Sequence, residues 1–114
     1  MADLIEEFAA KRPTDAIRRG GETFLSVDAA RDLIEEADRR GVRVLGLEGF
    51  LIGDGAVYPA LSRVADFSDA SPRDAVAQAK HLLEGAWASA PTTDDQMQSA
   101  ASGRYMLAVV LARK

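Results

Sequence analysis

Cysteine is absent from this chain, and histidine and tryptophan occur once each. Without thiols there is no disulfide framework, no cysteine-ligated zinc and no thiol nucleophile. The same absence fits a reducing cytoplasm, which is the expected compartment. Proline is scarce, at 4 residues, and no stretch approaches the ~18 consecutive apolar residues of a membrane-spanning helix. The first residues, MADLIEEFAAKR, are acidic and amphipathic, unlike the basic and apolar start of a signal peptide. Positive charge is also in deficit, with 14 basic against 18 acidic side chains and a net charge of −4. That balance repels phosphate backbones, and Arg18-Arg19 and Arg39-Arg40 are too short to form a basic patch. A nucleic-acid partner is therefore not expected, and an acidic chain of this size is expected to meet a basic partner, or none.

What is present describes one globular domain over residues 1–114, 47% hydrophobic and 28% charged. The spacing predicts three main helices and a small sheet. Asp3 with Glu6 makes a capping box for a helix over about 3–12, stopped by Pro13. Ser26 caps the most regular helix, 27–40, whose stripe is Val27, Ala30, Leu33, Ile34 and Ala37. Its exposed side offers Glu35–Arg39 and Glu36–Arg40 pairs, and Gly41 ends it. Ser71-Pro72 starts a third helix over about 72–87. Thr14–Ile17 reads as a turn, Gly20-Gly21 as a break, and Thr23–Leu25 as a short strand or a buried lead-in.

Strands are expected over about 42–52, 56–60 and 104–112. Asp54-Gly55 is the pair that a two-residue hairpin between the first two requires. Residues 61–67 are apolar without clean alternation and read as a turn or irregular strand. Residues 88–103 are either a long polar connection or partly helical around 94–101. The predicted fold class is α+β, with a mixed or antiparallel sheet of three to four strands and helices on one face or end.

No catalytic constellation stands out. His81 lies on the polar side of its helix, and no Gly-x-Ser-x-Gly elbow accompanies it. The glycines at 46, 49, 53 and 55 lie in a strand and its turn, without the following helix a phosphate cradle needs. Asp54, Asp66, Asp69 and Asp74 match no calcium-loop spacing. The chain is therefore expected to be non-enzymatic, with no metal and no cofactor. Glu48 is the exception worth following, because a carboxylate in an apolar strand is costly unless paired or exposed. It is expected either to pair with Arg43, Arg63 or Arg104, or to face a groove or an edge. Tyr58 and Trp87 are the aromatic candidates for either core or interface.

The segment from Val42 to Asp69 holds VLGLEGF, a short apolar run, a polar turn, a proline and VADFSD, after a charged helix ending in glycine. In this it resembles small bacterial immunity-type proteins, of the colicin-like or polymorphic-toxin kind. The resemblance implies an inhibitor that binds a cognate toxin, often one with a basic surface. Acidic charge would speed such an encounter. Glu48, Asp54, Tyr58, Asp66 and Asp69 are the expected protein-binding residues, chosen by expected exposure and proximity. The alternative is a small-molecule-binding or enzymatic domain with its pocket between sheet and helices near Glu48. A homodimer joined through the C-terminal strand is a third arrangement.

Overall fold

A computed structural model describes residues 4–53, 56–90 and 104–112. In chain order these form α1 (Leu4–Ala10), β1 (Ala16–Arg19), β2 (Glu22–Leu25), α2 (Val27–Arg39), β3 (Val44–Gly53), β4 (Ala56–Asp66), α3 (Pro72–Glu84) and β5 (Arg104–Leu111). The class is α+β with three helices, as expected. The sheet has five strands rather than three or four, all paired antiparallel in the order β1-β2-β5-β3-β4.

One extra strand, β1, comes from the segment read as a turn and a break, and the other, β2, from residues 23–25, read as a short strand or a buried lead-in. Arg19 pairs with Glu22 around Gly20-Gly21, and both glycines have positive φ, 59° and 80°. That is the backbone of a two-residue type I′ hairpin, which favours glycine at both positions. The other hairpin lies where expected, with Gly53 opposite Ala56. Asp54 and Gly55 themselves, the Asp3 cap and the 94–101 helix fall outside the described residues.

Local chemistry explains the helix boundaries. The Ser26 hydroxyl accepts from the Ala29 amide at 3.2 Å, and the Ser71 hydroxyl accepts from the Asp74 amide at 3.1 Å. Gly41 follows α2 with φ 70°, a conformation that side chains disfavour. Of the two predicted ion pairs on α2, Glu36–Arg40 forms. Glu35 instead reaches across to Lys80 of α3 at 3.0 Å.

The helices pack on one face of the sheet. Ala29, Ala30, Leu33, Ile34 and Ala37 of α2 and Ala75, Ala79 and Leu83 of α3 are buried. They meet Leu25, Val44, Leu47, Leu107 and Val109 from the strands, with Trp87 beyond the end of α3. Alanine at so many of these helical positions lets the helices sit close to each other and to the strands.

No described helix lies on the opposite face, yet one end of it is closed. Phe24, Ile52, Met106 and Ala108 form a second buried cluster there, with Ile17, Phe50 and Val57 against it. The sheet curls far enough for Arg19 of β1 to donate to the Gly53 carbonyl of β3 at 3.0 Å, past two intervening strands. Among the described residues, curvature stands in for a covering layer. Strand β5 sits at the centre, hydrogen-bonded to β2 on one side and β3 on the other.

Candidate functional site: the open end of the sheet

Strand alternation sends Leu47 to the helical core and its neighbours Gly46 and Glu48 to the helix-free face. Across β3, Glu48 is opposite Val64 of β4 and Ala108 of β5, while Gly46 is opposite Asp66 and Val110. These positions form the end of the face that the curl leaves open. Val64 is 61% exposed and Val110 42%, the two large hydrophobic side chains that are exposed among the described residues. Gly46 lies between them without a side chain, and a Cβ there would stand 3.6 Å from Val110 Cβ.

Glu48 is half-buried and forms no ion pair among the described residues. This corrects the expected arginine pairing, because all three arginines are engaged elsewhere. Arg43 Nη2 donates to the Ser68 and Ala70 carbonyls, each at 2.7 Å, and so ties the start of β3 to the turn before α3. Arg63 lies against Trp87, with its guanidinium carbon 5.8 Å from the ring centroid. Arg104 Nη2 reaches the Thr14 carbonyl at 3.5 Å.

The other expected site residues divide. Asp66 is exposed on the same face as Glu48, two positions from Val64. Its carboxylate turns back to accept from the Ser68 amide at 2.9 Å. The Ser68 hydroxyl, then its amide, hold that carboxyl below the usual aspartate range. Asp69 is exposed in the turn that follows, away from the paired rows. Tyr58 is opposite Leu51 and packs with Ala60 on the helical side, so it does not join Glu48. Asp54 is outside the described residues. Sequence spacing missed Val64 and Val110, because exposure of an apolar strand residue depends on where the sheet stops curling.

A groove of about 590 Å³ runs between α1 and α2, on the helical side of the molecule. Leu4 and Phe8 form part of its wall, and several of its charges are paired with one another. Arg12 pairs with Asp32 at 2.8 Å, and Arg40 with Glu7 and Glu36. Glu48 does not line this groove and sits on the far face of the sheet. Among the described residues no group of three or more histidine, cysteine or acidic side chains is placed to hold a metal. No described helix is long and apolar enough to cross a membrane.

Comparison of the chain with known protein families, with characterised proteins and with solved structures found no match.

Proposed function

We propose that this chain is a non-catalytic protein-binding domain that docks its partner on the open end of the sheet, through Val64, Val110, Glu48 and Asp66. The observation that carries the reading is the combination on one surface of two exposed valines and a half-buried carboxylate with no ion pair among the described residues. An apolar centre with a charged surround is the usual anatomy of a protein interface. A basic partner supplies the missing counter-charge for Glu48, and the net charge of −4 steers it inward. The narrower form of the proposal is immunity: the partner is a toxin domain whose active site this surface blocks. It rests on the resemblance of residues 42–69 and on the acidic charge.

The test is capture from source-cell lysate on the immobilised chain, repeated with Glu48→Lys, Val64→Ser and Val110→Ser. Glu84→Gln, at an exposed position on α3, serves as the control. A basic protein retained by the wild type and the control, lost from the three face variants and weakened by salt, supports the proposal. Retention that ignores the face variants removes it. For immunity, the captured protein must also be toxic when expressed alone and harmless when co-expressed with this chain.

A further inference from the structure

Between the pairs Glu48–Val64 and Phe50–Pro59 the register of β4 shifts, so that Gly49 is met by residues 60–63. Such irregularities re-aim side chains and concentrate near functional sites. Here the last residue of the excursion, Arg63, is carried to the helical side. It lies over the space that Gly49 leaves empty, where a Cβ would stand 2.8 Å from its own Cβ and 3.2 Å from Tyr105 Cε1. The guanidinium reaches the Trp87 ring at 5.8 Å, near the outer limit of a cation–π contact. Tyr105 donates its hydroxyl to the Trp87 carbonyl at 3.2 Å and so fixes the aromatic wall.

Arg63 carries a debt that this wall does not settle. Its Nε is shielded from solvent and has no hydrogen-bond partner, and the side chain forms no ion pair among the described residues. Arg43 also has an unpartnered Nε, but two short bonds to carbonyls hold the rest of its guanidinium. Arg63 is held less firmly, by a side-chain hydrogen bond with Tyr105 rather than by carbonyls. A half-buried cation without a counter-ion is uncommon, and an unsatisfied donor of this kind calls for a partner.

We propose that Arg63, backed by Trp87 and Tyr105, is a binding site for an oxyanion, a carboxylate or phosphate group of a small ligand. The planar guanidinium offers such a group two parallel donors once it swings off the indole, and the same movement releases Nε from its buried position. The site is on the helical side of the sheet, so it is independent of the protein-docking face.

Trp87 is the sole tryptophan and reports the movement directly. The experiment titrates the full chain with inorganic phosphate, and separately with acetate, following Trp87 fluorescence at ionic strength matched with sodium chloride. Saturation in the ~millimolar range is expected, the affinity of about one charge-assisted pair. The midpoint of thermal unfolding should rise over the same concentrations, since the ligand binds only the folded state. Arg63→Lys, which keeps the charge but loses the fork, should weaken saturation at least fivefold, and Arg63→Gln should abolish it. The tighter of the two anions identifies the head group. A wild-type signal that does not saturate with either anion overturns the proposal, whatever the variants do. So does a saturable signal that survives unchanged in a folded Arg63→Gln protein.

Discussion

Gly49 of β3 and Arg63 of β4 approach so closely that a Cβ on Gly49 would stand 2.8 Å from the Cβ of Arg63. Real side chains do not tolerate that separation, and the obstacle is the base of the arginine rather than its flexible end. Gly49→Ala is therefore expected to destabilise the fold by about 1–3 kcal/mol, the range for overpacking a filled site. Gly53→Ala is the control, because its nearest neighbour is Tyr58 Cε2 at an ordinary 3.8 Å. Urea unfolding of both variants checks the pair, with little change expected for the second.

Two positions on β5 separate packing from presentation. Leu107 is fully buried between the sheet and the helices, whereas Val110 is 42% exposed at the open end. Leu107→Ala should cost about 2–5 kcal/mol of stability through lost burial and the cavity left behind. Val110→Ala should stay within about 0.5 kcal/mol, as surface changes usually do. Denaturant midpoints for the two variants decide this.

Helix α2 is fastened at its start. The Ser26 hydroxyl both caps the Ala29 amide and reaches Asp15 Oδ1 at 3.4 Å, while its own amide donates to the Asp15 carbonyl at 2.8 Å. Ser26→Ala should lower stability by about 1–2 kcal/mol, the upper part of the range for losing a helix cap. Ser26→Asp should recover part of the cap and lose part of that recovery to repulsion from Asp15. Thermal unfolding of the two variants gives the order.

Acid should act through two carboxylates held below their usual range. Lys80, by hydrogen bond and charge, depresses Glu35, and Ser68 depresses Asp66. A carboxyl whose pKa is lower in the folded state contributes stability above its unfolded pKa, and loses it as pH falls through the folded one. Stability should therefore decline as pH drops from about 5 towards about 3. Lys80→Met should be less stable than wild type at neutral pH, with the difference shrinking across that acid window. A difference that stays constant with pH would refute the linkage. Melting temperatures at pH 3 to 7 measure it.

The helices were legible in the sequence because their signals are local. Ser26, Ser71-Pro72 and Gly41 act within one turn of where they stand, and the stripe from Ala30 to Ala37 repeats at helical spacing. Strand β1 was hidden and β2 stayed open between a strand and a lead-in, since each is four residues long and their evidence is the Gly20-Gly21 pair between them. Residues 61–66 hid their strand character because the register shift opposite Gly49 breaks the alternation. The fate of Glu48 was undecidable from spacing: pairing required knowing that Arg43 is taken by two carbonyls and that Arg63 points to the other face. The Arg63, Trp87 and Tyr105 cluster has no linear signature at all, being assembled from a strand irregularity, a helix end and the last strand.

The central place of β5 makes time, as well as sequence, part of this fold. The β1–β2 hairpin and the β3–β4 hairpin can each form early from neighbouring residues, but neither touches the other in the sheet order until residues 104–111 lie between them. Both halves wait on a segment distant in the chain, so closing that long loop sets the pace of folding. Without β5 each hairpin would carry an unpaired inner edge, the kind of edge that invites association with other chains.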